Sequence, residues 1–160
     1  MTSQYAILRA AAIGELSDST RMVVLRGASL ANLEVIAMVN ATANAVTPTG
    51  VVIAEAGRTL ISGYTTGVGS IDFGNSVPLN VGAGDGFVMQ LGSDGTLCSA
   101  WLISASMAVT RINAMSRDGG FTWLAGHLGA GVRTITSLDG TSLAITQGAD
   151  DDMMLMKLAW

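Results

Sequence analysis

The pentapeptide Leu60-Ile61-Ser62-Gly63-Tyr64 returns 63 residues later as Trp123-Leu124-Ala125-Gly126-His127, and it does not return alone. At the same spacing Val46-Thr47 matches Val109-Thr110, and Gly57 matches Gly120. With small shifts Ser70-Ile71 pairs with Thr134-Ile135, and Leu79-Asn80-Val81 with Leu143-Ala144-Ile145. Phe87-Val88-Met89-Gln90-Leu91 likewise pairs with Met154-Leu155-Met156-Lys157-Leu158. An offset that glides by a few residues is what loop insertions leave in a duplication. A repeat of this length is one supersecondary unit that needs a neighbour to bury its apolar face. The chain therefore divides into an N-terminal region, 1–45, a first β repeat, 46–108, and a second, 109–160.

Each copy reads strand, turn, strand, Gly-rich loop, strand, loop, strand. Asp85-Gly86, Asp94-Gly95, Asp118-Gly119 and Asp139-Gly140 are turn dipeptides that tolerate positive φ. Alternation sets Phe87, Met89 and Leu91 on one face and Val88 and Gln90 on the other. Ahead of the repeats, Tyr5–Ile13 is rich in helix formers and stops at Gly14, predicting a short helix, with an extended arm as the alternative. Met22–Arg26 and Glu34–Asn40, joined through Gly27, predict a β-hairpin. The fold class is all-β: antiparallel sheets from two blade-like repeats, preceded by that short helix or arm and hairpin.

Composition narrows the function. Charged residues are 12% of the chain, against about a quarter in ordinary soluble domains. Either a membrane or an assembly must cover such a surface. Gly, Ser, Thr and Asn interrupt every apolar run before about 18 residues, so no spanning helix is predicted. Met1-Thr2-Ser3-Gln4 has no basic start and Arg9 breaks the apolar stretch after it, so no secretion signal is read. The alternation Met154, Met156, Leu158, Trp160 looks like the closing strand of an outer-membrane barrel, but the strands are too few to close one. Assembly is the better explanation. The single cysteine, Cys98, lies in an apolar strand-like segment and is expected to be a buried, inert thiol. A net charge of −4 with scattered Lys and Arg argues against nucleic acid.

The run Leu60 to Ala105 resembles the blade repeat of bacterial SBBP-type β-propellers. The likeness rests on Gly63-Tyr64, Ile71-Asp72-Phe73-Gly74, Asp85-Gly86-Phe87-Val88, Asp94-Gly95 and Trp101, in that order. The second copy departs from it: Asp72-Phe73-Gly74 becomes Thr136-Ser137-Leu138, and Phe87 becomes Met154. The resemblance implies four-stranded blades used as scaffolds or interaction platforms. A closed propeller needs at least four blades and this chain supplies two to two and a half. Unpaired strand edges are then left for a partner to cover.

Chemistry-bearing residues are few, and each has a structural reading. His127 takes the repeat position of Tyr64 and reads as a packing residue; no Gly-x-Ser-x-Gly elbow accompanies it. Asp72 and Asp85 sit at turns, where Asp caps backbone amides, and Glu55 lies in the same copy. Asp150-Asp151-Asp152 lacks calcium-loop spacing and reads as a solvated acidic loop. Gly82-Ala83-Gly84-Asp85-Gly86 and Gly129-Ala130-Gly131 lack the lysine and the following helix of a phosphate loop. Trp101, Trp123, Trp160, Met154 and Met156 are the candidates for an interface, or for stacking on glycan rings. No catalytic, cofactor or metal-ligating residue is assigned. These readings converge on a non-enzymatic assembly subunit, and most of all on a phage virion component: a decoration, cement, spike or tail-associated protein. It would be made in the cytoplasm and joined to copies of itself or to other virion proteins. The alternative is an oligomeric, propeller-like module that binds glycan or protein.

Overall fold

Three of the four Asp-Gly dipeptides turn the chain as their chemistry requires. Gly95, Gly119 and Gly140 take φ of 88°, 56° and 82°, where other residues meet a Cβ clash. At Asp85-Gly86 the turn comes earlier: Gly84 takes φ 90° and Gly86 opens a strand. The computed structural model describes residues 4–9, 20–27, 33–42, 46–105, 109–146 and 152–159. Among them every strand pairing is antiparallel. In chain order the strands are β1 (Gln4–Arg9), β2 (Thr20–Gly27), β3 (Leu33–Ala41), β4 (Val46–Ile53), β5 (Thr59–Thr65), β6 (Gly69–Asp72) and β7 (Leu79–Val81). They continue as β8 (Gly86–Leu91), β9 (Leu97–Ala105), β10 (Thr110–Asp118), β11 (Phe121–Leu128), β12 (Val132–Ser137), β13 (Ser142–Thr146) and β14 (Asp152–Ala159).

The helix expected over Tyr5–Ile13 is not formed at its N-terminal part. Gln4–Arg9 is a strand paired along its whole length with β2, while 10–13 lie outside the described residues. Helix propensity there is worth a few tenths of a kcal/mol per residue, about what one ladder hydrogen bond outweighs. The hairpin is present as β2 and β3, longer at both ends than its apolar runs suggested.

Three sheets form: β1-β2-β3-β6-β7, β13-β12-β9-β8-β5-β4, and β10-β11-β14. The second draws β4, β5, β8 and β9 from one side of residues 106–108 and β12 and β13 from the other. Within it β4, β5, β8 and β9 run as a four-stranded antiparallel series. The short hairpin β6–β7 leaves this series between β5 and β8 to pair with β3 of the first sheet.

The duplication is written in the pairing register. Leu60↔Gln90, Ile61↔Met89 and Gly63↔Phe87 between β5 and β8 recur as Trp123↔Lys157, Leu124↔Met156 and Gly126↔Met154 between β11 and β14. Ser70↔Asn80 and Ile71↔Leu79 recur as Thr134↔Ala144 and Ile135↔Leu143. Even irregularities repeat. A bulge between Pro48 and Gly50 faces β5, and one between Ile112 and Ala114 faces β11. That bulge aligns Val46-Thr47 with Thr110-Arg111, one residue later than the match of Val46-Thr47 to Val109-Thr110.

The recurrence also reaches further toward the N-terminus than the letters do. The β2–β3 hairpin slips register between Val24 and Leu25, and the β8–β9 hairpin between Gln90 and Leu91, which leaves Ile36 and Cys98 as corresponding extra residues. The N-terminal hairpin is thus the counterpart of β8–β9.

Strands β5 and β8, in the middle of the second sheet, are buried on both faces. Against the first sheet the second packs Ile61, Phe87, Met89, Leu91, Ala100 and Leu102 with Met22, Val24, Val39, Ile71 and Phe73. Against the third it packs Leu60, Val88 and Ile103 with Ile112, Leu124, Leu128 and Met154. The alternation read in β8 is therefore present, with both of its faces turned to apolar neighbours. Burying each such side chain stabilises by roughly 1.5–3 kcal/mol. The Asp72-Phe73-Gly74 turn shows how the motif serves this core. Asp72 Oδ1 accepts the amides of Gly74, Asn75 and Ser76 at 2.8, 3.1 and 3.0 Å. Phe73 is thereby directed inward, its ring centroid 5.6 Å from that of Phe87.

Candidate interaction surface

The places where strand chemistry is left open lie around β14. On β11 the residues Thr122, Leu124, Gly126 and Leu128 face inward and are buried, so Phe121, Trp123, Ala125 and His127 face out. On β14 Met154 is buried and Met156 and Leu158 pack on the same core, while Met153 is 90% exposed and Leu155 69%. Among the described residues β14 pairs with β11 alone. Between β14 and the β12–β13 hairpin opens an apolar cleft of about 500 Å³, walled by Trp101, Ile135, Leu143, Ile145, Met154 and Met156.

The internal repeat explains why this cleft is open. Leu79 and Val81 of β7 are the register counterparts of Leu143 and Ile145 of β13. Val81 is 4% exposed and Leu79 half-buried, in the core that β9 shares through Leu97, Ala100 and Leu102. Ile145 is 36% exposed and Leu143 61%. The third sheet holds β10, β11 and β14, with no described strand standing beside β14 as β9 stands beside β8. Equivalent apolar positions thus differ in burial.

Of the five residues the sequence nominates, Trp101, Met154 and Met156 meet in this cleft. Trp123 is on the other face of the third sheet, half-buried, with Lys157 Nζ 5.3 Å from its ring and 3.6 Å from that of Phe121. A cation held over two rings there contributes about 0.5–1 kcal/mol. Trp160 lies outside the described residues. Leu143 and Ile145 were not nominated. Their signal lies in the match to Leu79 and Val81, which belong to the first core.

His127, Asp85, Asp94 and Asp139 each have hydrogen-bond partners. His127 Nδ1 is 3.2 Å from the Val109 carbonyl oxygen. Asp85 is buried and accepts the Gly82 amide at 2.6 Å and the Ser104 hydroxyl at 3.1 Å. Asp94 accepts from the Thr96 hydroxyl and amide at 2.6 and 3.0 Å, which hold its carboxyl below the ordinary value, the hydroxyl contributing most. Asp139 is lowered in the same way by the Ser137 hydroxyl first and the Thr141 amide next. Among the described residues no three His, Cys, Asp or Glu stand together as a metal site. No described helix is long and apolar enough to cross a membrane.

Cys98 corrects the expectation of a buried thiol. It is the extra residue of the β8–β9 bulge, and its side chain is exposed. A bulge adds one residue to a period of two, so the residue after Leu97 leaves the alternation that would have turned it inward.

No family model, curated protein or solved structure matches the chain.

Proposed function

We propose that this chain is a non-enzymatic structural subunit that works in an assembly with further copies of itself. The setting proposed for it is a phage virion, as a decoration, cement, spike or tail-associated protein. The observation that carries the reading is the exposed apolar band of Leu143, Ile145, Met153 and Leu155 along a strand edge that no described strand pairs. Edges of this kind recruit further strands, and soluble monomers blunt them with charge or proline. The band on β13 and β14 carries neither beyond Asp152 and Lys157 at its ends. The low charge of the whole chain and the engagement of Asp72, Asp94 and Asp139 in capping turns support the same reading. Light scattering over a concentration range tests it. Self-association of the purified chain is the expected result; a monomer at every concentration overturns it.

A second reading, an oligomeric propeller-like module binding glycan or protein, is favoured by one observation. The antiparallel series β4-β5-β8-β9 bears Gly63-Tyr64, Gly86-Phe87-Val88 and Trp101 of the blade likeness, while Ile71-Asp72 lie on β6 of the first sheet; pairings of the series recur in β10-β11-β14. Trp101→Ala and Trp123→Ala would then weaken retention on a glycan array, and unchanged retention would exclude stacking by these rings.

A further inference from the structure

We propose that the edge of β14 that no described strand pairs, with the cleft beside it, receives strand β1 of a second copy, added antiparallel. The third sheet of one copy then continues into the first sheet of the next. The inference rests on the assembly reading above and names the surfaces that meet.

The need for an occupant comes from the internal comparison. Beside β8 the equivalent place is filled by β9, and Val81, in the core β9 shares, is 4% exposed. Beside β14 the counterpart Ile145 is 36% exposed and Leu143 61%. What fits is therefore what already fits once in this chain: an extended, largely apolar strand running antiparallel to the edge, as β9 (LCSAWLISA) runs to β8. Such addition supplies main-chain hydrogen bonds from the edge and apolar burial from the cleft.

The described edge strands differ in how well they meet that description. The outer strand β4 carries Pro48 within it, and β10 carries Arg111, Asn113, Arg117 and Asp118. Strand β7 has three residues, and β13 is a wall of the cleft itself. Strand β1, QYAILR, has four apolar residues between Gln4 and Arg9 and stands at the end of the first sheet with β2 as its one neighbour there. Laid antiparallel on β14, a register with Arg9 across from Asp152 sets Tyr5–Leu8 against Met153–Met156 and Gln4 against Lys157. Opposite charges meet at one end, apolar residues meet along the middle, and no like charges face each other. Two different surfaces join, so the contact is head-to-tail and propagates into a ring or a filament.

The experiment measures self-association by light scattering for the full chain and for variants whose folding is checked by circular dichroism and melting temperature. Leu143→Asp changes a side chain already mostly exposed, and it is expected to weaken self-association about tenfold or more. Arg9→Glu and Asp152→Arg are each expected to weaken it about threefold, and the double variant to restore it. If the native chain associates but these variants associate equally well, the copies meet elsewhere: this proposal falls and the assembly reading stands. If the native chain is monomeric throughout, the assembly reading itself falls.

Discussion

Gly63 and Gly126 occupy the same place in the pairing scheme, each facing the residue that precedes a bulge in the neighbouring strand, Pro48 in one case and Ile112 in the other. A Cβ on Gly63 would run into the Thr47 carbonyl oxygen and the Phe87 ring; on Gly126 it would run into the Arg111 carbonyl oxygen. The obstacle is backbone, which cannot rotate out of the way. Gly126→Ala is expected to cost about 3 kcal/mol by chemical denaturation. Gly120→Ala, where nothing lies within 4 Å, is the control and should change stability by less than about 1 kcal/mol. Equal effects would remove the close approach as the reason for the glycine.

Buried threonines should answer differently to one substitution. Thr59 and Thr122, equivalent in the repeat, bury hydroxyls with no hydrogen-bond partner among the described residues, whereas Thr65 donates to the Gly82 carbonyl at 2.9 Å. Valine keeps the shape and removes the hydroxyl. Thr122→Val is expected to stabilise by about 1 kcal/mol and Thr65→Val to destabilise by about as much. The measurement is the urea midpoint of each, and the same sign in both would contradict the assignment.

Acid should release two turns before it unfolds the sheets. Asp94 and Asp139 have folded values lowered below the ordinary 3.8. A carboxyl lowered in the folded state contributes stability above its unfolded value and loses it as pH falls through the folded one. The melting temperature of Asp94→Ala should lie below that of the native chain at pH 7, and the gap should narrow steadily below about pH 4. A gap independent of pH would mean that the carboxylate charge plays no part in the turn.

Cys98 should react with a thiol reagent in the folded protein at nearly the rate of the unfolded chain. Its exposure follows from the bulge opposite Gln90 and Leu91. A thiol released only on unfolding would turn the side chain inward and remove the bulge.

From the residues alone one can derive what is local and periodic: the antiparallel β class, the turns at Gly95, Gly119 and Gly140, the two faces of Phe87–Leu91, and the recurrence of Gly63 in Gly126. Each follows from φ preferences and from the period of two, which act within a few residues. The letters also mark Trp101, Met154 and Met156 as unusual. They do not reveal that Gln4–Arg9 is a strand, that the β2–β3 hairpin is the counterpart of β8–β9, or that Cys98 faces out. Those depend on pairings between distant residues and on bulges that shift the alternation by one, and neither leaves a local signature. The contrast between Val81 and Ile145 shows the division most plainly. Two β-branched residues at equivalent positions read alike in the sequence, and only the packing of distant described strands makes one core and leaves the other more exposed.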